Sequence, residues 1–230
     1  MKRKLCACVL GCLAIIAFVG CGASSKASGS SDSTKTGKKD TITFGALAEP
    51  STLDPSATND SVAQFPQYQI YDTLVREEKD GSLVPALAED WDIEEGGKVV
   101  VFHLRDGVKF HNGEVMTADD VIFSINRAIA SSFTKKVTGT MQKAEKVDDK
   151  TVRLTLKYPY GAIIGCMSSA NLSIVNKKIV ESDPQGWARH PIGTGPYQFE
   201  EWKSGEKRFC SRMRSWPRNR YHSFFTRIPW

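Results

Sequence analysis

The sequence predicts a mixed α/β fold of the α+β kind over residues 41–206, with short strands separated by helices. Three observations predict it. Runs of β-branched and aromatic residues are bounded by turn pairs, one segment with capping residues has apolar residues at helical spacing, and no internal repeat is visible. Together they argue against an all-helical fold or a sandwich.

The first 20 residues are predicted to be a signal peptide. Three basic residues, Lys2, Arg3 and Lys4, precede an uncharged stretch from Leu5 to Gly20. That stretch is short for a membrane-spanning helix, which needs about 20 mostly apolar residues. Cys21 follows directly and resembles the lipidated cysteine of a bacterial lipobox, although Phe18 stands where Leu is common. The alternative is an uncleaved anchor helix in which Cys21 is an ordinary thiol.

Residues 21–40 are predicted to be a lipidated cysteine followed by a flexible linker. The linker is almost entirely Ser, Gly, Ala, Thr and Lys, which cannot bury enough apolar surface to offset the entropy of ordering. Cys166 and Cys210 are the only cysteines beyond Cys21, and no Cys or His spacing fits zinc. We therefore expect a lipid-anchored domain with neither metal nor cofactor.

Two helices and several strands are predicted along the body. Thr41–Ala48 and Val99–Arg105 are expected strands, and Ser61–Val75 is an expected helix with Pro66 in its first turn. Asp106-Gly107 and Asn112-Gly113 are turn pairs.

The second helix is predicted to begin at Thr117. Thr117 and Asp120 form a capping-box pattern, and Val121, Ile125, Ala128 and Ile129 follow at helical spacing. Lys143–Lys157 should form a hairpin, and Leu172–Val175 and Pro196–Trp202 are further expected strands.

Three stretches carry a family pattern. They read EPSTLDPSATND…YDTLV (residues 49–75), LVPALAEDWDIEEGGKVVVFHLRDGVKFHNGEVMTADDVIFSINRA (residues 83–128) and PIGTGPYQFEEWKSGE (residues 191–206). In this order and spacing they closely resemble the peptide/nickel-type (family 5) solute-binding proteins of ABC importers. The resemblance covers about Thr41 to Glu206.

The resemblance implies the N-terminal portion of a type II periplasmic-binding-protein clamp, whose two lobes close over a ligand. Residues 41–69 and 191–206 would be the first and second segments of domain I, and residues 70–190 would be the inserted domain II. A third domain would be expected next, so we expect the chain to be truncated and impaired in binding.

Residues 207–230 depart from the family pattern. They contain seven basic residues, several aromatic ones and no acidic residue. We interpret them as frameshifted translation, and a one-base shift in the DNA should then restore a family-like continuation. The alternative is a genuine basic segment at a membrane surface. Without this tail and the signal, acidic residues outnumber basic ones, so no nucleic-acid partner is predicted.

The candidate ligand contacts lie in two loops. By resemblance, the loop at residues 49–55 lines the cleft and can add strand-like hydrogen bonds to an extended peptide. The predicted binding residues are Glu49, Pro50, Ser51, Thr52, Leu53, Gly193, Thr194, Gly195 and Tyr197. For Leu53, Pro55 and Tyr197, simple packing is an equally good interpretation.

Other polar groups favour structural roles. His103 and His111 have no evident third metal ligand, and adjacent Asp119 and Asp120 do not face each other on a helix, so capping explains them better. Residues 193–196 lack the Lys-Ser/Thr of a phosphate loop, and no GxSxG pattern is present. The sequence therefore predicts a binding protein rather than an enzyme.

The predicted function is capture of peptides outside the bacterial cell and delivery to ABC permease and ATPase subunits. The protein would be a monomer, anchored by lipid to the outer face of the cytoplasmic membrane. Two alternatives come from other classes. One is an exported α/β hydrolase, which would need a nucleophile–base pair. The other is a cell-surface adhesin or sensor on the same fold.

Overall fold

The computed structural model describes residues 48–204 and the backbone of residues 207–212, in which short strands and helices are mixed, as predicted. Short 3₁₀ turns lie at Glu95–Gly97, Ala170–Leu172 and Trp187–Arg189. The helices and strands follow in this order: α1 (Ser61–Ile70), β1 (Val75–Glu77), β2 (Leu83–Pro85), β3 (Ala88–Glu94), β4 (Val99–Leu104), α2 (Ala118–Ala130), α3 (Lys135–Thr138), β5 (Met141–Lys146), β6 (Thr151–Leu156), α4 (Ile163–Cys166), α5 (Lys177–Ser182), β7 (Tyr197–Lys203) and β8 (Lys207–Arg212).

The largest sheet of the described residues has four antiparallel strands in the order β3-β4-β6-β5. Phe102 of β4 lies opposite Trp91 of β3 and Val152 of β6. The strand predicted from Val99 and the hairpin predicted within residues 143–157 are both present. β4 is almost continuously apolar, in keeping with the burial of five of its six residues. β1 pairs with β2, and β7 pairs with β8, in two separate hairpins.

Helix α2 packs on one face of this sheet. Its Val121, Ile125 and Ala128 side chains are fully buried, and β6 alternates buried and half-buried residues. Asn126 fixes the helix to β5, since its amide donates to the Ala144 carbonyl at 2.8 Å and accepts from the Ala144 N–H at 2.8 Å. The large core cluster therefore lies between α2 and the sheet.

The predicted capping box at the start of α2 is confirmed. The Thr117 N–H donates to the Asp120 carboxylate at 2.9 Å, and the Asp120 N–H donates to the Thr117 hydroxyl at 3.3 Å. This satisfies two donors that would otherwise lack partners in the first turn.

The connection from β4 to α2 makes two tight turns. Gly107 and Gly113 adopt positive φ angles of 65° and 87°, so both predicted turn pairs are confirmed. Phe110 is fully buried between them, and the Gly113 N–H donates to its carbonyl at 2.9 Å. His111 is thereby held at a fixed position in the second turn.

The prediction of a helix over Ser61–Val75 is wrong at its C-terminal end. Helix α1 ends at Ile70, and Tyr71 is extended at φ −117° and ψ 159°. The chain leaves the helix because the Ile70 carbonyl accepts a hydrogen bond from Gly195, a residue distant in sequence. Pro66 lies inside the helix rather than in its first turn. It has no N–H to donate to the preceding turn, so α1 lacks one hydrogen bond there.

The predicted strand at Leu172–Val175 is also wrong. Leu172 ends a 3₁₀ turn. The chain then makes one backbone hydrogen bond to the segment that follows α1, in which the Ile174 N–H donates to the Asp72 carbonyl at 2.9 Å. The Val175 N–H donates instead to the Ser124 hydroxyl at 3.0 Å. The Ser124 hydroxyl therefore accepts the hydrogen bond that a carbonyl of a neighbouring strand would otherwise accept.

A second buried cluster lies beside the candidate loops. Its members come from α1, α5, β7 and the chain before and between them: Leu53, Ile70, Tyr71, Val175, Val180, Trp187 and Phe199. Across residues 48–204, every helix is too short or too polar to cross a bilayer. The strand predicted at Thr41–Ala48 falls almost wholly outside the described residues.

Candidate ligand-binding site

Within the loop predicted at residues 49–55, the predicted contact residues are 49–53, which we call the first candidate loop. This segment is attached to the structure at both ends. Pro50 and Leu53 are buried, Thr52 is half-buried, and Glu49 and Ser51 are exposed. The Leu53 carbonyl accepts a hydrogen bond from the Tyr71 hydroxyl at 3.2 Å. The Glu49 carboxylate accepts one from the Trp202 indole N–H of β7. Exposed side chains on a fixed backbone are what a ligand-contacting loop needs.

A buried ion pair follows this loop. The Asp54 carboxylate is 5% exposed and forms a two-pronged pair with Arg127 of α2, in which Nη1 lies 2.7 Å from Oδ1. The guanidinium also lies over the Trp187 ring, 5.3 Å from its centroid. Such two-pronged pairs fix orientation as well as distance.

Three of the carbonyls of residues 55–58 are held by side chains from later in the chain. The Asn171 amide donates to the Pro55 carbonyl at 2.8 Å and to the Thr58 carbonyl at 2.7 Å, while the Ser131 hydroxyl donates to the Ser56 carbonyl at 2.5 Å. The position of the first candidate loop is therefore set by α2, the residues just after it and the turn at residues 170–172.

Tyr71 connects this ion pair to the candidate loop. Burial raises the pKa of Tyr71 well above its ordinary value, the nearby Asp54 charge raises it further, and Arg127 opposes the increase. A tyrosine phenol is protonated at neutral pH even at its ordinary pKa of about 10, so Tyr71 can donate to the Leu53 carbonyl, and the raised pKa keeps it protonated at still higher pH.

The second candidate loop, residues 193–195, crosses directly over the chain after α1. Gly195 N–H donates to the Ile70 carbonyl at 2.9 Å, and the Thr194 hydroxyl donates to the Asp72 carboxylate at 3.1 Å. A Cβ atom on Gly193 would lie 2.0 Å from the Ile70 oxygen, and one on Gly195 would lie 2.5 Å from the Gln69 oxygen. Both glycines are needed for this close crossing, which we call the crossover (residues 193–195 against residues 69–72).

His111 is bonded to the crossover through its backbone and its ring. Its N–H donates to the Gly193 carbonyl at 2.8 Å, Gly193 N–H donates to Nδ1 at 3.2 Å, and Nε2 lies 2.9 Å from the Gly195 carbonyl. Burial lowers the pKa of His111, and the bond to Gly195 partly opposes this. The predicted structural role of His111 thus has a specific form that sequence did not indicate.

The structure brings the two candidate loops into one region. Leu53 and Phe199 belong to the same buried cluster, and Tyr71 contacts Leu53 through its hydroxyl while its ring lies beside Gly193. Tyr197 is half-buried at the start of β7. Ligand contact by these residues stays a prediction, and Cys21 lies outside the described residues.

A depression of about 170 Å³ lies beside the crossover. Polar and apolar side chains share its lining: His111, Asn112, His190, Pro191, Ile192, Gln198, Phe199 and Glu200.

His103 lies elsewhere, half-buried on the sheet, with Nε2 3.2 Å from Asp92 and 3.9 Å from Asp90. In the part of the chain that the structure describes, no group of three or more His, Cys, Asp or Glu is arranged to hold a metal ion.

Comparisons with known proteins define first a class, the bacterial extracellular solute-binding proteins, and then a family within it. The family model for bacterial extracellular solute-binding proteins, family 5 Middle, matches residues 82–216. The chain belongs to this family, whose members are binding proteins rather than enzymes. The predictions of family 5 membership, of a type II binding-protein fold and of a non-enzyme are confirmed.

Individual relatives agree with the family assignment. The chain is 33% identical over 153 residues to the glutathione-binding protein GsiB of Pectobacterium atrosepticum, covering 65% of this chain and 30% of that protein. It superposes with TM-score 0.68 and 31% identity on the ABC transporter-associated periplasmic binding protein DppA of Helicobacter pylori in complex with peptide STSA, covering 74% of this chain and 38% of that one.

A third relative carries a different ligand. NikZ of Campylobacter jejuni, in complex with Ni(L-His), superposes with TM-score 0.62 and 30% identity over 72% of this chain and 34% of that chain. The chain thus spans about a third of the length of these three relatives.

Proposed function

We propose that the protein is the substrate-binding component of an ABC importer and captures peptides outside the cell. The observation that carries the proposal is the likeness to a peptide-bound periplasmic protein, with TM-score 0.68 over 74% of the chain. The loop at residues 49–53 supports it, because Glu49 and Ser51 are exposed on it and a loop of this kind can bind a peptide main chain without demanding particular side chains. The partners would be the permease and ATPase subunits, with the binding protein acting as a monomer.

The proposed site consists of both candidate loops, and the proposed domains keep the boundaries expected from the resemblance. Residues 41–69 and 191–206 would form part of domain I, and residues 70–190 domain II. The crossover supports this division, because residues 70 and 195, which lie at or near the two proposed boundaries, are hydrogen-bonded to each other. An experimental structure with bound solute would check the site, the domains and the monomeric state together.

Uptake by cells tests the transport proposal. Deleting the full-length reading frame from the bacterium that carries it should abolish most uptake of labelled tri- and tetrapeptides and leave free amino-acid uptake unchanged. Glutathione, Ni(L-His) and haem serve as competing solutes in the same assay. Loss of uptake for one of these instead of peptides would contradict the peptide assignment, and unchanged uptake of all four would contradict import.

We also propose that Cys21 carries the lipid that holds the protein on the membrane. Within residues 1–21, a basic start is followed by an uncharged stretch and then by Cys21, which supports this proposal. The polar linker after Cys21 supports it as well. Replacing Cys21 with Ser should abolish incorporation of labelled fatty acid and move the protein out of the membrane fraction. Cys166→Ser is the matched control, and lipid labelling that survives in Cys21→Ser would refute the assignment.

A further inference from the structure

The ring of His111 has a defined tautomer. A backbone N–H can only donate, so the bond from Gly193 N–H requires a bare Nδ1 that accepts. A carbonyl can only accept, so the contact with the Gly195 oxygen requires a hydrogen on Nε2. The neutral ring with its hydrogen on Nε2 is therefore the form that satisfies both contacts.

Protonation of the ring would break this arrangement. In the imidazolium both nitrogens carry hydrogens, so Nδ1–H would face the Gly193 N–H donor and that amide would lose its acceptor. A largely buried donor without an acceptor is unfavourable. The Gly195 side of the crossover would keep its bonds, because Gly195 N–H donates to the Ile70 carbonyl and the Nε2 hydrogen stays in place.

We infer that His111 is a positioning residue that holds Gly193 in the crossover only while its imidazole is neutral. The inference goes beyond the proposed function, because it concerns the path of the chain and holds for any solute. Its failure would leave the importer proposal untouched, and failure of the importer proposal would leave it intact.

The direction of the pH dependence follows from burial. The folded protein disfavours the charged ring and lowers the pKa of His111, so the unfolded chain binds this proton at higher pH than the folded chain does. The contribution of the His111 contacts to the stability of the folded protein is fully present above the ordinary histidine pKa of about 6.5. It is lost as pH falls through the lowered pKa of the folded state.

Other titratable or charged groups lie in the elements that pack around His111. Lys109 and Glu114 lie in the same turn, and Asp72 lies behind Thr194 across the crossover. His190 and Glu200 line the same depression as His111. Because a second histidine lines the same depression, His190→Gln is a necessary control.

Amide hydrogen exchange of the full ¹⁵N-labelled chain tests the inference between pH 7.5 and pH 5. After correction for the intrinsic exchange rate, protection of the Gly193 N–H should fall as the pH is lowered, while that of the Gly195 N–H changes much less. The fall should persist in His190→Gln. The fall should disappear in His111→Gln, because the side-chain amide of glutamine does not titrate.

Two results would overturn the inference. One is Gly193 protection that stays constant while the His111 ring titrates, and the other is the same fall in His111→Gln. If His111→Gln does not fold, the ¹⁵N chemical shifts of the His111 ring in the unaltered protein at pH 7.5 test the tautomer instead. They should show a bare Nδ1 and a protonated Nε2, and the opposite tautomer would overturn the assignment.

Discussion

Replacing Arg127 with Met should lower the free energy of unfolding by about 3 kcal/mol, as expected when a buried ion pair loses one partner. The Asp54 carboxylate is 5% exposed, and Arg127 supplies two of its hydrogen bonds. Met keeps similar length and apolar contact with Trp187 but removes the charge and both donors. Urea unfolding, followed by circular dichroism at pH 7, measures the loss.

Two controls separate the buried pair from a general effect of removing arginine. Arg153 forms a more exposed ion pair with Glu95 at 2.6 Å, so Arg153→Met should cost less than about 1 kcal/mol. Adding Asp54→Asn to Arg127→Met removes the unpaired charge and should recover part of the lost stability. Equal losses in Arg127→Met and Arg153→Met would show that Asp54 does not depend on Arg127.

The same pair determines where the first candidate loop lies. Asp54 directly follows Leu53, and the carbonyls of Pro55, Ser56 and Thr58 are held by side chains from residues 131 and 171. The exposed residues Glu49 and Ser51 therefore sit on a backbone whose position is set by a different part of the chain. This arrangement fits a pre-formed ligand contact, which loses less conformational freedom on binding.

Elements with local causes were predicted well from the sequence. The Thr117–Asp120 capping box, the two Gly turns and the hairpin of β5 and β6 each depend on residues only a few positions apart. Hydrophobic period and turn chemistry are readable in such short windows. The family pattern also located both candidate loops, although it did not reveal what holds them.

The errors and omissions come from contacts between distant parts of the chain. Helix α1 ends at Ile70 because the Gly195 N–H donates a hydrogen bond to the Ile70 carbonyl. Residues 172–175 do not form a strand because the Val175 N–H donates to the Ser124 hydroxyl instead of to another strand. Arg127 meets Asp54 across 73 positions, and His111 meets Gly193 across 82. Arg127 is an unremarkable polar residue near the end of α2, so no spacing rule distinguishes it.

Replacing Gly193 with Ala should destabilise the protein by about 2–3 kcal/mol, in the range expected for forcing a group into a filled space. The added Cβ would lie 2.0 Å from the Ile70 oxygen and 2.7 Å from a Tyr71 ring carbon. The Ile70 oxygen belongs to the backbone and accepts from Gly195, so it cannot move aside without loosening the crossover. Urea unfolding gives the size, and faster exchange of the Gly195 N–H would locate the damage.

Gly161→Ala is the matched control, because an added Cβ there meets no atom within 4 Å. It should change the free energy of unfolding by less than about 1 kcal/mol, as expected for an unstrained Gly→Ala exchange. If both variants unfold at the same urea concentration, the crossover has room to move apart, and the close approach of residues 70 and 193 is not a constraint on the fold. A loss confined to Gly193→Ala would instead show that glycine is required here by packing, independently of any contact with ligand.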